Sequence, residues 1–264
     1  ALAGVRAAPP APGRASTRQG TVALVGGGPG DPGLLTVRAR ELLAEADVVV
    51  ADRLVPLSVL DELRPDVEVV DASKIPGGPA MAQERINAVL IDRARAGRFV
   101  VRFKGGDPFV FGRGMEEAQA CAEAGVPVEV VPGIPSAIAV PALAGVPVTH
   151  RGASQAFTVV SGHVPPRDPR STVDWAALGA TGATLVVLMG IANLEAITEE
   201  LLAAGLAAAT PVAVVQDGAT PRQRLVRSTL EGAAKAVRDE GVRSPAVVVI
   251  GAVAALATPR SVSR

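Results

Sequence analysis

The chain has 264 residues and a balanced charge, with 26 Lys and Arg against 26 Asp and Glu. No net field therefore attracts nucleic acid or an anionic membrane, and the apolar runs are too short to cross a bilayer. A single cysteine, Cys121, and only two histidines argue against a disulfide or a metal site, and the cysteine usage fits a reducing compartment, the cytoplasm.

The first half of the chain predicts a parallel α/β sheet. Residues 1–20 are rich in Ala, Pro and Arg and contain no acid, which predicts a disordered tail. Beyond them, continuous Val-rich runs are typical of strands buried on both faces by helices. The strands are predicted at 22–25, 48–51, 67–70, 99–104 and 128–131, and the helices at 34–44, 81–95 and 115–124.

A second α/β series follows the Pro- and Gly-containing breaks at 131–135 and 145–147. Its strands are predicted at 157–161, 184–189, 212–215, 224–228 and 246–250, and its helices at 194–204 and 230–239. No helix separates the strands on either side of 217–223, so a hairpin and a mixed sheet are expected. The prediction is an N-terminal domain over 21–143, a C-terminal domain over 144–258, a tail over 259–264, and a cleft where the domains meet.

A glycine-rich loop follows the first predicted strand. From Gly28 it matches Gly-x-Gly-x-x-Gly, and Asp52 follows at about the distance of a ribose-binding acid in dinucleotide sites. However, Pro29 and Pro32 have no N–H to offer a pyrophosphate, and Asp31 would place a negative charge beside it. We therefore expect a rigid turn here rather than a phosphate-binding loop.

The segment KGGDPFVFGRG at 104–114 is a stronger signal of a ligand site. It begins where a strand ends, which is where open parallel sheets bind ligands, and its paired glycines allow close approach to the backbone. An ordinary strand-to-helix loop is the alternative, since Gly-Asp-Pro is common in turns.

Seven segments together resemble the tetrapyrrole methyltransferases, most closely those members that methylate uroporphyrinogen III. They are GGGPGD at 26–31, ADRLV at 51–55, QERIN at 83–87, the segment 104–114, VPGI at 131–134, GVPVTHR at 145–151 and MG at 189–190. The resemblance runs in order over 21–256. It implies a two-domain α/β fold with S-adenosylmethionine in the interdomain cleft, a homodimer, and methylation of uroporphyrinogen III at C-2 and C-7. The product would be precorrin-2, for sirohaem and/or cobalamin biosynthesis.

The resemblance also implies the contacts with S-adenosylmethionine. They fall on Pro29, Gly105, Gly106, Asp107, Val110, Pro135, Ser136, Met189 and Gly218. Pro135 departs from the threonine usual in the family, which removes a hydroxyl that Ser136 is placed to replace. Core packing is the alternative role of Val110 and Met189.

An acid/base pair, Asp52 and Lys74, is likewise implied. Asp52 has an alternative role as the N-cap of a helix over 54–60. Lys74 precedes Ile75 and Pro76, where the family commonly has an arginine, and this leaves the basicity of its loop open.

The implied substrate carries many carboxylates, which calls for cationic groups. The candidates are Arg53, Arg113, Arg151, Arg222 and His150. Their alternative roles are those of solvated arginines and a structural histidine.

Three rival functions remain open at this point. A methyltransferase of the same fold acting elsewhere on the corrin pathway shares the glycine loops, although the full 104–114 segment favours uroporphyrinogen III. A nicotinamide-dependent oxidoreductase would bind a dinucleotide more tightly than S-adenosylhomocysteine. A non-catalytic binding module would account for the departures at Ile75 and Pro135.

Overall fold

The structure, a computed structural model, describes residues 20–74 and 79–256, without the side chains of 74 and 79–82. The predicted tails at 1–20 and 259–264 lie outside this part, apart from Gly20. The chain divides into two compact units, Ala1–Pro135 and Ser136–Arg264.

A five-stranded sheet forms the first unit. Its strands are β1 (Val22–Gly26), β2 (Val48–Ala51), β3 (Glu68–Asp71), β4 (Val100–Lys104) and β5 (Val128–Val131). All pairings are parallel, in the order β3-β2-β4-β1-β5. The prediction of a mostly parallel N-terminal sheet is confirmed, and the carboxyl ends of all five strands lie along one edge.

Helices cover both faces of this sheet. They are α1 (Val37–Glu45), α2 (Ser58–Asp61), α3 (Pro79–Arg95) and α4 (Gly114–Glu123). Leu42 of α1 packs with Phe103 on one face, and Leu90 of α3 packs with Cys121 of α4 on the other. Alternate residues of β4 thus point into different cores, and this alternation determines on which face of the sheet its charged side chains lie.

The second unit contains a mixed sheet. Its strands are β6 (Phe157–Ser161), β7 (Thr184–Leu188), β8 (Pro211–Gln216), β9 (Arg224–Thr229) and β10 (Ala246–Ile250), in the order β6-β7-β10-β8-β9. Only β6 and β7 pair in parallel, whereas β8 and β9 form the predicted antiparallel hairpin. Because β10 is antiparallel to both β7 and β8, those two strands end at the same edge.

The second unit contains two helices that were not predicted from the sequence. The prediction included only α7 (Leu194–Ala203) and α8 (Ala233–Asp239). The missed helix α5 (Ser136–Leu143) contains Pro141 and has no polar stripe, so its sequence indicates a break. Burial of Ala137 and Val140 among the strand residues stabilises it. The missed α6 (Trp175–Ala180) is short and is held by the buried Trp175.

The division between the units falls before α5, whereas the predicted domain boundary, between 143 and 144, falls after it. Packing of α5 against β7 and β10 places the helix in the second unit.

Two helix starts also differ from expectation. The helix predicted from residue 34 begins at Val37, because Pro32–Leu34 forms a 3-10 turn and Thr36 Oγ1 accepts from Ala39 N at 3.1 Å. The interpretation of Asp52 as an N-cap is wrong, since α2 begins at Ser58 after the non-capping Leu57.

Across residues 20–74 and 79–256, no helix has the length and apolar character needed to cross a membrane. Within the same ranges, no group of three or more His, Cys, Asp and Glu side chains forms a metal-binding cluster.

Candidate active site

Three glycine backbones meet at the carboxyl ends of β1, β4 and β5. A Cβ atom on Gly26 would lie 2.4 Å from the amide nitrogen of Gly133, and one on Gly133 would lie 2.2 Å from the carbonyl oxygen of Gly106. Gly106 and Gly28 also exchange N–H···O bonds of 2.7 and 3.1 Å. Only glycine fits such backbone contact, so these positions fix how the loops leave the sheet.

The first glycine loop forms a rigid turn and not a phosphate cradle. Gly27 N donates to the carbonyl of Lys104, the last residue of β4, at 2.6 Å, and Gly28 N donates to the carbonyl of Gly106 in the loop that follows, at 3.1 Å. Gly33 N donates to Asp31 Oδ1 at 2.8 Å. A pyrophosphate site needs such N–H groups free at a helix N-terminus. Here they are engaged, and α1 begins only at Val37.

Asp107 fastens the loop after β4 to the loop after β5. Its Oδ1 accepts from Phe109 N at 2.8 Å and its Oδ2 accepts from Gly133 N at 3.1 Å. Each carboxylate oxygen of Asp107 therefore accepts a hydrogen bond within the protein. Beyond it, Val110 is 37% exposed and is not a core residue.

Asp52 follows β2 at the same edge, where its carboxylate joins a buried ionic cluster. Arg102 Nη2 donates to Asp52 Oδ1 at 2.5 Å, and Arg102 Nε donates to Glu117 Oε1 at 2.9 Å. Lys104 Nζ lies 3.1 Å from Glu117 and 3.8 Å from Asp52 Oδ2. Arg102 and Lys104 are almost fully buried and Glu117 is fully buried, whereas the Asp52 side chain is 33% exposed.

Burial and charge shift the pKa values in this cluster in opposite directions. Burial, aided by the charge of Arg102, lowers the pKa of Lys104 despite the attraction of Glu117 and Asp52. For Arg102, burial is the largest single influence and opposes the charge, but Asp52 and Glu117 together raise its pKa.

Burial, followed by the charge of Glu117, raises the pKa of the Cys121 thiol to about 11. Cys121 is therefore an inert core residue.

The sequence prediction missed Arg102, Lys104 and Glu117 as site residues, although a signal was present. Charged residues at alternate positions of a strand that must be buried on both faces imply a buried partner on one face. Glu117 supplies that partner from α4.

The other predicted residues of the first unit are differently placed. Pro29 and Gly105 lie half-buried at the strand ends, as does Pro135, whereas Arg53 is exposed and has no ion pair within the described ranges. Arg113 binds its neighbour Glu116 at 2.6 Å. Lys74 ends a 3-10 turn, and its side chain lies outside the described residues.

In the second unit, Met189 and Gly218 follow β7 and β8 at one edge of the sheet. Met189 has a left-handed φ of 56° and is 46% exposed, which contradicts a role in core packing. Left-handed residues, Asp217 and Ala219, flank Gly218, and a Cβ there would lie 2.3 Å from Val140 of α5. Strained conformations of this kind often mark ligand sites.

The second unit brings only some of the remaining candidates to this edge. Arg222 is exposed, with its Nε 3.9 Å from Asp217 Oδ2. Ser136, at the start of α5, is half-buried. His150 and Arg151 are exposed in a turn whose Ser154 Oγ accepts from Thr184 N at 3.2 Å, which places the turn at the other end of β7 from Met189.

The first unit has a parallel sheet whose carboxyl edge carries packed glycines and the acid Asp52. The second unit has a mixed sheet with an exposed methionine, Met189, in a left-handed conformation. Together these features define a class of two-unit α/β proteins. The family model for tetrapyrrole (corrin/porphyrin) methylases matches residues 21–234. The chain belongs to this family, as the resemblance predicted.

Individual relatives are similar over most of the chain. An S-adenosyl-L-methionine-dependent uroporphyrinogen III methyltransferase of Methanosarcina barkeri is 45% identical over 236 residues, covering 89% of this chain and 92% of that protein. A uroporphyrin-III C-methyltransferase of Thermus thermophilus, solved with S-adenyl homocysteine, superposes with a TM-score of 0.74 at 43% identity, covering 89% and 99%. The chain spans about half the length of the sirohaem synthases that it also matches.

A further solved structure has the same fold at lower identity. A cobalt precorrin-4 methyltransferase superposes with a TM-score of 0.80 at 28% identity, covering 89% of this chain and 96% of that one. The fold is thus common to methyltransferases that the relatives' names assign to different tetrapyrroles.

The glycine contact yields a stability prediction. Gly26→Ala forces a Cβ atom into the backbone of Gly133, which cannot yield as a side chain would. We expect it to lower the free energy of unfolding by about 3 kcal/mol. The control is Gly33→Ala, whose Cβ meets only a carboxylate oxygen of Asp31, at 3.1 Å. Urea unfolding measures both, and equal midpoints would contradict the backbone contact.

Proposed function

We propose that the protein transfers methyl groups from S-adenosylmethionine to C-2 and C-7 of uroporphyrinogen III, giving precorrin-2 for sirohaem and/or cobalamin biosynthesis. The observation that carries the proposal is the carboxylate of Asp52, held at a strand end by Arg102 and still partly exposed. Relatives that match nearly the whole chain have names that state C-methylation or S-adenosylmethionine-dependent methylation of uroporphyrinogen III.

The cofactor fits the groups present at the strand ends. S-adenosylmethionine carries no phosphate, and the first loop has its N–H groups engaged, so the turn suits this cofactor better than a dinucleotide. Val110 and Met189 offer exposed apolar surface to a nucleoside. The cofactor-binding residues proposed are Pro29, Gly105, Gly106, Asp107, Val110, Pro135, Ser136, Met189 and Gly218.

When bound, S-adenosylmethionine supplies an activated methyl group on a sulfonium centre. The protein's main task is then to align the pyrrole carbon with that methyl group, which is largely a matter of positioning. The pyrrole ring becomes cationic as its carbon is methylated, and the carboxylate of Asp52 stabilises this charge and accepts the released proton. Lys74 is proposed as the proton donor to the neighbouring ring system.

The carboxylates of the substrate need cationic partners. Arg53 and Arg222 suit this role best, because each is exposed beside a strand end that carries other candidate residues. Arg113 would exchange its partner Glu116 for a substrate carboxylate. His150 and Arg151 remain weaker candidates because their turn adjoins the opposite end of β7.

A related methyl acceptor is the second candidate function. The structural match to the cobalt precorrin-4 methyltransferase has a higher TM-score than the match to the Thermus thermophilus enzyme. This favours a later corrin intermediate as the substrate. The higher sequence identity to the uroporphyrinogen enzymes favours the first proposal.

We also propose that the protein is a homodimer that acts in the cytoplasm. The dimer is implied by the family resemblance, and the cytoplasm suits a chain whose single cysteine is a buried free thiol. Light scattering of the purified protein should give the mass of two chains, and the mass of one chain would refute the dimer.

Anaerobic incubation with uroporphyrinogen III and S-adenosylmethionine tests the activity. We expect a product heavier than the substrate by two methyl groups, because both C-2 and C-7 accept one, and mass spectrometry measures it. Omitting S-adenosylmethionine is the control. A folded protein that binds S-adenosylhomocysteine but gives no mass gain would refute the proposal, and methylation only of a later corrin would establish the second candidate.

A further inference from the structure

Arg102 links the exposed carboxylate of Asp52 to the interior of the first unit. Its guanidinium donates from Nη2 to Asp52 Oδ1 at 2.5 Å and from Nε to Glu117 Oε1 at 2.9 Å. Nη1 lies 3.2 Å from the carbonyl oxygen of Val50 and 3.4 Å from that of Phe103. All three nitrogens are thus engaged, and the guanidinium plane has one orientation.

Glu117 holds this guanidinium in place from α4. The carboxylate is fully buried and also accepts from Lys104 Nζ at 3.1 Å and from Gln83 Nε2 of α3 at 3.2 Å. Two negative groups, one just after β2 and one on α4, therefore balance two positive groups on β4 within the cluster. Rotation of Arg102 would leave Glu117 or Asp52 without its hydrogen bond, which is unfavourable in a buried site.

The two oxygens of Asp52 have different surroundings. Oδ1 is hydrogen-bonded to Arg102, whereas Oδ2 lies 3.8 Å from Lys104 Nζ, beyond hydrogen-bonding distance. Within the described ranges Oδ2 accepts no hydrogen bond. A carboxylate with one oxygen fixed and the other available is suited to accept a proton along a defined direction.

We propose that Arg102 is a positioning residue for Asp52, and that Glu117 acts through Arg102 to the same end. The inference rests on the proposed function, because it needs Asp52 to act in methyl transfer. Arginine suits this task and lysine does not, since one planar fork addresses both carboxylates at once while a lysine offers a single point charge. Arg102→Lys therefore keeps the positive charge and loses the fixed direction.

A purely structural role predicts different behaviour. Removing one partner from a buried ion pair destabilises many proteins, and a general loosening would weaken cofactor binding and turnover together. If Arg102 acts through Asp52, its substitution changes turnover only while Asp52 is present. A double-mutant cycle separates the two roles.

The experiment measures kcat and KM for uroporphyrinogen III with the wild type, Asp52→Asn, Arg102→Lys and the double variant. We expect Asp52→Asn to lower kcat by about 100-fold or more, as loss of a general base does. Arg102→Lys should lower it about 10-fold, by misplacing the carboxylate. The double variant should match Asp52→Asn within about twofold. Calorimetry should give the same affinity for S-adenosylhomocysteine in all four proteins.

The matched control is Arg93→Lys. Arg93 makes the same kind of forked contact with a carboxylate of the first unit, binding Glu68 through Nε and Nη2 at 2.8 to 3.1 Å. Glu68 begins β3, at the edge opposite to Asp52, so the control should leave kcat unchanged.

Three outcomes overturn the inference while wild-type methylation stands. They are full turnover in Asp52→Asn, losses that multiply in the double variant, and an affinity for S-adenosylhomocysteine that falls as far as kcat in Arg102→Lys. If thermal unfolding shows that Arg102→Lys is unfolded, Glu117→Gln replaces it in the double-mutant cycle. Its kcat and its affinity for S-adenosylhomocysteine are then interpreted in the same way. Absence of methylation by the wild type refutes the proposed function itself.

Discussion

The first unit depends on a guanidinium buried between two carboxylates. Arg102 on β4 cannot be buried without partners, and it finds one in Asp52, after β2, and one in Glu117, on α4. The same hydrogen bonds therefore fix the end of β2, the position of α4 against the sheet and the orientation of the partly exposed Asp52 carboxylate. One side chain, Arg102, therefore both satisfies the charges of the interior and sets the position of a partly exposed carboxylate.

A second constraint is the contact of three glycines at or just beyond the carboxyl ends of β1, β4 and β5. Backbone contact among Gly26, Gly106 and Gly133 brings three loops together, and Asp107 joins two of them with its carboxylate. The N–H groups of Gly27 and Gly28, which a dinucleotide-binding loop would direct at phosphate, instead donate to carbonyls at the end of β4 and in the loop that follows it. The Gly-x-Gly-x-x-Gly pattern is present, but in this structure the loop serves the close packing of the strand ends.

The strands and the fold class were predictable from the sequence, because continuous Val-rich runs leave few alternatives to a helix-covered sheet. Helix α5 was not, since its stability comes from burial of Ala137 and Val140 in the second unit and not from a local signal. The family resemblance indicated Asp52, while local capping rules suggested a different role for it. Its actual partner, Arg102, is distant in sequence, and only the strand pairing brings the two together. The alternating charges of β4 were the one available signal.

The proposed role of Asp52, held by Arg102, is to serve methyl transfer at this strand edge as a proton acceptor. A crystal structure of the protein with S-adenosylhomocysteine tests it most directly. Arg102 Nη2 is expected to stay within hydrogen-bonding distance of Asp52 Oδ1, now 2.5 Å, and the ligand is expected to contact the backbone at Gly105, Gly106 and Asp107. A ligand bound away from this loop, or an Asp52 side chain turned from Arg102 with the ligand in place, would contradict it.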